Sequence, residues 1–579
     1  MGRIKREQDE RSLESGEEEK RAPRNSIAKH PRAARANFLL DAARVATNAG
    51  VSRNLKNIGL VSGATMVSRV LGLVRDMQTA AVFGLSGISS AFFTAYQLPN
   101  LFRRLLGEGS LTAAFVPTLN IELEQRRREG AFALVNQVAS WLTVVAGVVV
   151  VAAMIFFSQP PWIEAAARVF TGDNATVQRW LLSGNMTVVL FPYLLFVCLA
   201  SVFSSALQSL GRFLEPALSP IWLNLAMIGM LWLGVRLWPD AKMTQVYMLC
   251  AGVLVGGLGQ MCVPGWALLR EGWRPRFTLE LSERVRAIFR LMAPTVLGSA
   301  VYLINMTVSR YIALSLNDGA VALLNFAQRL MELPIGVFAV AVSTVVFPLI
   351  SRFAAQNDTA GMANAYRKGM RLILLINIPA AAGLGVLALP LIRLLFQRGE
   401  FVASDTFAMA PVLAIYAVGL PFFSFVNLVL RAFYARRDTK TPVVAALLSF
   451  VVNIVLSLAL MGPLSTAGLA IAGNAAIIVQ AVFLQVMLTR KAPEMAFIHI
   501  GRDLGKIIIA SASMGTAVWG GWHAWTHLAT ATTFNTACGL AIMIAAGVAL
   551  YAALAWVLRI EGRDEARAMI LKRIRPRSR

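Results

Sequence analysis

The chain has 579 residues, of which 57% are hydrophobic and only 15% are charged, and its mean hydropathy is +0.61. Ordinary soluble domains are about one quarter charged, so this composition excludes a typical soluble globular protein. The formal net charge of +24 would suit a nucleic-acid-binding protein, but the positions of the charges argue against that class.

Long apolar runs recur along the chain, and each can cross a hydrocarbon core of about 30 Å as a helix. Clear examples begin at Trp141, Val443 and Ala537. In chain order, helical spans are predicted to begin near residues 57, 88, 131, 177, 213, 245, 284, 321, 366, 406, 441, 465, 503 and 533. The sequence therefore predicts an all-α polytopic membrane protein with about fourteen transmembrane helices.

The basic residues indicate how these spans are oriented. With the N-terminus in the cytoplasm, Lys and Arg concentrate in every second connection, and the opposite connections hold only Arg168, Arg236, Lys242 and Arg398. This is the asymmetry of the positive-inside rule. We therefore expect a multi-pass membrane protein with both termini in the cytoplasm. Its basic loops would contact anionic membrane lipids, and no nucleic acid is expected as a partner.

Two pairs of similar segments indicate an internal repeat. Residues 95–119 resemble residues 325–350, and residues 206–224 resemble residues 432–453, in each case about 230 residues apart. In the second pair, an Asn lies inside the helix that follows the basic residues. Two related helix bundles around a central cavity are a common transporter plan.

The predicted domains follow from this repeat. Residues 57–275 would form an N-terminal lobe of helices 1–6, and residues 276–500 a C-terminal lobe of helices 7–12. Residues 501–560 would add two further helices, and residues 561–579 a basic cytoplasmic tail. Residues 1–56 are charge-dense and poor in large apolar residues, so we expect a disordered or amphipathic cytoplasmic extension there.

The first predicted span carries a polar stripe on an otherwise apolar helix. At 3.6 residues per turn, its polar and small residues fall within an arc of about 120°; they are Thr65, Ser68, Arg69, Gly72, Arg75, Asp76 and Thr79. A charged residue at the centre of a membrane helix costs about 2.5–3.5 kcal/mol on insertion scales. We therefore expect this stripe to face a water-filled cavity.

Two other spans repeat the pattern. The eighth span carries a polar arc of Asn325, Gln328, Arg329 and Glu332. The second span carries Thr94, Gln97, Arg104 and Glu108 on one side, with Asn100 and Arg103 beside them and Pro99 as an expected bend. The charged candidates for the cavity are the arginines Arg69, Arg75, Arg103, Arg104 and Arg329 and the carboxylates Asp76, Glu108 and Glu332. A surplus of guanidinium invites an anion, and a diphosphate suits the planar fork of Arg.

A purely structural reading of these charges stays open. Arg69 would then pair with Asp76, and Arg329 with Glu332, only to hold helices together. Arg103 and Arg104 would lie near a membrane surface and extend their guanidinium groups into water.

Catalytic signatures are lacking in the sequence. It contains no G-x-x-x-x-G-K-[ST] phosphate loop and no evident Ser/His/Asp or Cys/His set. The four Cys and four His show no metal-binding spacing, so neither a cofactor nor a metal site is predicted. A transporter is expected, driven by an ion gradient, the membrane potential or consumption of the product.

Several motifs resemble those of lipid II flippases of the MurJ/MviN type, in the multidrug/oligosaccharidyl-lipid/polysaccharide exporter superfamily. They are SRVLGLVRD (68–76), LPNLFRRLLGEGSLTAAFVPTL (98–119), QRLMELPIGVF (328–338), LFQRGEF (395–401) and RRDTKTPV (436–443). The resemblance implies fourteen helices in two lobes that carry lipid II, the undecaprenyl-diphosphate-linked disaccharide-pentapeptide, to the outer leaflet by alternating access. It also implies a location in the bacterial inner membrane and a groove for the lipid tail between the last two helices, with cell-wall synthesis proteins as further candidate partners.

The resemblance also implies roles for individual residues. Arg69, Arg75, Arg103 and Arg329 match the family's central arginines and would bind the substrate; supporting or gating roles are expected for Ser68, Asp76, Arg104, Glu108, Asn325 and Glu332. Departures from the family pattern occur at Ser90, Gln97 and Gln328. Where some relatives have acidic sodium ligands, this chain has Ser309 and Ser457, which argues against sodium coupling.

Three alternative functions remain at this point. A drug/cation antiporter of the same superfamily would favour a carboxylate-rich cavity. A flippase for another polyprenyl-diphosphate-linked glycan would share the arginines. A non-transporting cell-wall scaffold would depend on the charged N-terminal segment.

Overall fold

The computed structural model describes residues 59–106, 110–170, 173–496, 501–530 and 532–561. The described residues form α-helices and one short 3-10 helix, and no strand occurs among them. The α-helices are α1 (59–83), α2 (Gly87–Leu106), α3 (Ser110–Phe157), α4 (Pro160–Phe170), α5 (Asn174–Leu190), α6 (Tyr193–Ser209), α7 (Leu214–Leu237), α8 (Lys242–Arg270), α9 (Glu283–Leu316), α10 (Ala320–Ala355), α11 (Thr359–Val386), α12 (Ala388–Phe396), α13 (Ala403–Ala435), α14 (Lys440–Lys491), α15 (Gly501–Leu528) and α16 (Thr533–Val557).

The all-helical prediction is confirmed, and two predicted span starts lie close to breaks in long helices. α3 departs from helical geometry at Arg127 (φ 55°) and α14 at Ser465 (φ 51°), close to the span starts predicted near 131 and 465. Pro463 removes a backbone donor just before the second break. α5 and α6 meet at a bend of 44°.

The number of spans is a separate question. Among the described residues, seven helices are long and apolar enough to cross a membrane, or eight if the bent α5–α6 pair is one span. Two of the seven, α3 and α14, contain the internal breaks. The count of about fourteen therefore stays a prediction. The extension at 1–56 and the tail beyond 561 lie outside the described residues.

Two short helices were not predicted from the sequence. α4 has 11 residues and α12 has 9, and both lie between longer helices. Each is too short to span a bilayer, which needs about 20 residues, so a search for long apolar runs passes over them.

The buried cores differ at the two ends of the helices. One end, here named the joined end, contains the turns 84–86, 238–241, 317–319 and 397–402. There a single hydrophobic cluster combines residues of α2, α5, α9, α10 and α13.

The opposite end, here named the split end, contains residues 271–282, 356–358 and 436–439. Two separate clusters lie there, one built from α2, α3, α6, α8 and the start of α9, and the other from α10, α11, α13, α14, α15 and α16. The helices up to the start of α9 therefore share one core with the later helices at the joined end and have a separate core at the split end.

Candidate functional site

Three of the predicted residues meet at one carboxylate. Asp76 on α1 is 1% exposed, and its Oδ1 accepts hydrogen bonds from Arg75 Nε at 2.9 Å and Nη2 at 2.7 Å. Its Oδ2 lies 3.2 Å from Nε of Arg329 on α10. We name Arg69, Arg75, Asp76, Arg329 and Glu332 the arginine cluster. A rise of 1.5 Å per residue places Arg75 about 12 Å and Arg329 about 14 Å along their helices from the joined end, roughly half of a membrane thickness.

Arg75 is held from a third helix. Its Nη1 donates to Oδ1 of Asn224 on α7 at 3.1 Å and lies 3.8 Å from Sδ of Met227. The Asn224 amide in turn donates to the backbone oxygens of Ser68 at 3.2 Å and Pro220 at 3.1 Å. Asn224 is 5% exposed, so this buried amide fixes both the guanidinium and the adjoining turn of α1.

Arg69 and Glu332 form a second link between α1 and α10. Arg69 Nη1 donates to the backbone oxygen of Glu332 at 3.1 Å. The Glu332 carboxylate lies 3.5 Å from Arg329 Nη1 and accepts from Gln328 Nε2 at 3.4 Å. Of the two ion pairs in the purely structural reading, Arg329 with Glu332 occurs, whereas Asp76 pairs with Arg75 and Arg329 instead of Arg69.

Gly72 leaves space on α1 for the guanidinium of Arg329. A Cβ added at this position would overlap the Arg329 guanidinium, so any larger residue would displace that side chain. Because Gly72 lies one helical turn before Asp76, the missing side chain and the carboxylate together hold Arg329 against α1.

The remaining predicted residues are less tightly connected to this cluster. Arg103 Nε donates to Asn100 Oδ1 at 2.7 Å on its own helix, and Asn325 is half-buried on α10. Ser68 takes part through its backbone oxygen. The side chains of Arg104 and Glu108 lie outside the described part of the chain.

A second polar group lies on α9 and α14. Asn453 Nδ2 donates to Asn305 Oδ1 at 2.9 Å and to Ser309 Oγ at 2.7 Å. These are neutral amide and hydroxyl groups. Across the described ranges, no three His, Cys, Asp or Glu side chains come close enough to hold a metal ion.

Hydrogen bonds and ion pairs close the joined end across the chain. Ser90 Oγ on α2 donates to the backbone oxygen of Asp318 at 2.5 Å and accepts from Ala322 N at 3.3 Å. Arg179 on α5 pairs with the Asp318 carboxylate at 2.5 Å. Lys242 at the start of α8 lies 3.0 Å from the Glu400 carboxylate.

Backbones also come very close at this end. Glu400 N donates to Ala81 O at 2.9 Å. Gly84 (φ +59°) and Gly399 (φ +58°) have left-handed backbones, and a Cβ on either would collide with the other segment. The joined end is therefore closed, whereas toward the split end the buried residues form two separate cores, and α10 of the arginine cluster belongs to one of them.

Comparison with known proteins gives a consistent result. The family model described as "Lipid II flippase MurJ" matches residues 79–538. A "Probable lipid II flippase MurJ" of Rhizobium meliloti (strain 1021) is 33% identical over 513 residues, which is 87% of this chain and 93% of the relative. A protein of the same description from Vibrio cholerae serotype O1 is 31% identical over 530 residues, covering 89% of this chain and 98% of the relative.

Solved structures show the same fold. A structure titled "Lipid II flippase MurJ, inward closed conformation" matches with a TM-score of 0.69 and 24% identity, covering 86% of this chain and 98% of its own. An inward-facing multidrug resistance MATE family transporter matches with a TM-score of 0.60 and 14% identity, covering 75% and 98%.

Proposed function

Because the chain belongs to the lipid II flippase MurJ family, we propose that it carries lipid II from the cytoplasmic to the outer leaflet of the bacterial inner membrane by alternating access. Membership of this family supports a transporter and not an enzyme, as the sequence predicts. The observation that carries the proposal is the arginine cluster, where Arg69, Arg75 and Arg329 from two helices converge in the interior of a membrane protein.

The proposed ligand of this cluster is the diphosphate of lipid II. Guanidinium groups bind phosphate oxygens through two parallel N–H groups, and such charge-assisted bonds are roughly twice as strong as neutral ones. Arg75 is already oriented by Asn224, and Arg329 is positioned over Gly72. Arg103 on α2 would add a further contact, with Ser68, Asn325 and Glu332 in supporting roles. Arg104 and Glu108 keep the supporting roles that the family pattern implies.

The orientation follows from the basic residues. The split end contains the loops rich in Lys and Arg, so we place it in the cytoplasm, together with both termini. The joined end then faces the outside. With this orientation, the closed joined end and the separate cores at the split end would be an inward-facing state, which the substrate headgroup would enter from the cytoplasm.

Two C-terminal helices are proposed to accommodate the lipid tail. α15 and α16 pack on α11 and α12 and expose large apolar side chains, among them Ile509, Trp519 and Val548. Arg371 on α11 anchors them through Asp503 at 3.0 Å and Glu561 at 2.6 Å.

Anionic membrane lipids at the basic loops and cell-wall synthesis proteins remain proposed partners. The two lobes at 57–275 and 276–500 remain proposed domains.

The competing transporter function is not supported by the site. A drug/cation antiporter should present carboxylates to its ligand, but the cluster has three arginines and two carboxylates, and Asp76 is 1% exposed. Similarity to a MATE transporter at 14% identity concerns the fold alone.

Complementation tests the proposed function. A bacterium depleted of its own lipid II flippase would receive the wild type, Arg75→Ala, Arg329→Ala or, as a matched control, Arg168→Ala on the exposed face of α4. We expect rescue by the wild type and the control at equal protein levels, and no rescue by the two cluster variants. Full rescue by both cluster variants would reject the site, and failure of the wild type would reject the substrate.

A further inference from the structure

The Asp76 carboxylate contacts two arginines, but it is well hydrogen-bonded to only one of them. Oδ1 makes two well-formed hydrogen bonds to Arg75 on the same helix. Oδ2 faces Arg329 Nε from α10 at 3.2 Å, yet both of these buried atoms lack a partner in hydrogen-bonding geometry. Asp76 is thus fixed to α1 and only loosely satisfied by α10.

Because the buried pair of Asp76 and Arg329 is not well hydrogen-bonded, another anion can replace Asp76 as the partner of Arg329. Buried polar atoms without a hydrogen bond lose most of the interaction that water would give them. The other ion pair of Arg329, with Glu332, is also long at 3.5 Å, and the Glu332 side chain is 45% exposed. A phosphate oxygen that aligns with the guanidinium would satisfy Arg329 better than either carboxylate does.

Gly72 sets the position in which this exchange would occur. The Arg329 guanidinium lies where a Cβ on Gly72 would be, so the backbone of α1 forms one side of its site. A methyl group there would push Arg329 away from both Asp76 and any anion held between α1 and α10.

We propose that Asp76 is an internal stand-in for the substrate diphosphate on Arg329, and that Gly72 is the positioning residue that makes the exchange possible. The diphosphate replaces Oδ2 of Asp76 as the partner of Arg329, while Oδ1 of Asp76 continues to bind Arg75. Substrate binding thereby replaces a direct contact between α1 and α10 with one that runs through the substrate. This inference rests on the proposed function, since it assumes that the ligand carries a diphosphate.

The test measures binding of inorganic pyrophosphate to the purified full-length chain by calorimetry. Asp76→Asn keeps an oxygen for Arg75 but removes the charge that faces Arg329. We expect it to bind pyrophosphate about ten-fold more tightly than the wild type, because a competing like charge a few ångströms away is gone. We expect Gly72→Ala to bind at least ten-fold more weakly, since its methyl group displaces Arg329. Asp240→Asn, which removes one exposed carboxylate outside the cluster, serves as the charge-matched control and should bind like the wild type.

The outcomes separate this inference from the proposed function. If the wild type and Asp76→Asn bind pyrophosphate equally, Asp76 does not compete and the inference is overturned, while the diphosphate site stands. If a folded Gly72→Ala binds like the wild type, the positioning role is overturned. If no form of the protein binds pyrophosphate, both the diphosphate site and the inference fail. Should Asp76→Asn not fold, Asp76→Ser provides the same loss of charge. Damage to the fold would not raise affinity, so tighter binding distinguishes competition from a structural role.

Discussion

Ser90 is expected to control how readily the joined end opens. Its side chain is fully buried, and its hydroxyl both donates to Asp318 O and accepts from Ala322 N. Ser90→Ala leaves these two backbone groups without that partner. A buried group that loses its hydrogen bond costs about 1–3 kcal/mol, so we estimate about 2 kcal/mol for the closed state. That energy corresponds to about a 30-fold shift toward the open state.

The ion pairs beside Ser90 contribute less. Asp318 is 68% exposed in its pair with Arg179, and Lys242 and Glu400 are 39% and 56% exposed. Exposed pairs of this kind contribute about 0–1 kcal/mol each and are screened by salt. The buried hydroxyl should therefore outweigh either surface pair.

Spin-label distances between Leu237 and Val402 would measure this opening. Both residues are at the joined end, on opposite sides of the closure, and are 54% and 50% exposed. In a background without the four native cysteines, Ser90→Ala should add a longer-distance population. Ser158→Ala, an exposed serine at the same end, should not. If Ser90→Ala gives the distances of the wild type and the control, the buried hydrogen bonds do not stabilise the closed state.

Three further predictions concern Asn224, Asp438 and the membrane potential. Asn224→Ala removes the amide that holds Arg75. It should slow lipid II flipping in proteoliposomes about ten-fold without unfolding the protein. An unchanged rate would exclude a role for that amide. At the split end, partial burial raises the pKa of Asp438, but hydrogen bonds from Lys491 and Thr441 outweigh it and hold that pKa at about 2. The ionised Asp438 should therefore contribute fully to stability above about pH 4, the ordinary pKa of an Asp, and this contribution should be lost as the pH falls toward 2. The melting temperature of Asp438→Asn should lack this acid-dependent loss. A variant that loses stability in parallel with the wild type would contradict the assignment. Finally, an inside-negative potential favours outward movement of an anion by about 2.3 kcal/mol per charge per 100 mV, so collapsing it should slow flipping; an equal rate would exclude that driving force.

Much of the fold could be predicted because membrane helices leave strong patterns. Apolar length predicted the helical class, and the span start predicted near residue 465 coincides with the break inside α14. The short helices α4 and α12 were missed, since 11 and 9 residues do not produce a membrane-length apolar run. The closed joined end was also not predictable, because Ser90 and Asp318 are 228 residues apart in the chain.

The candidate site could also be predicted only in part from the sequence. A helical wheel places Arg69, Arg75 and Asp76 on one face of α1, but it cannot say which residue of another helix meets that face. The contact of Asp76 with Arg329 and the space left by Gly72 therefore required the structure. Asn224 did leave a signal, since it is the Asn of the internal repeat; its counterpart Asn453 bonds to Asn305 and Ser309.

The most direct test of the central claim is lipid II translocation by the purified protein in liposomes. Wild type and Arg168→Ala should move lipid II to the opposite leaflet faster than protein-free liposomes do. Arg329→Ala, folded and inserted to the same extent, should lose this activity, because it removes the guanidinium that links α10 to the site on α1. Translocation by Arg329→Ala at the wild-type rate would contradict the account.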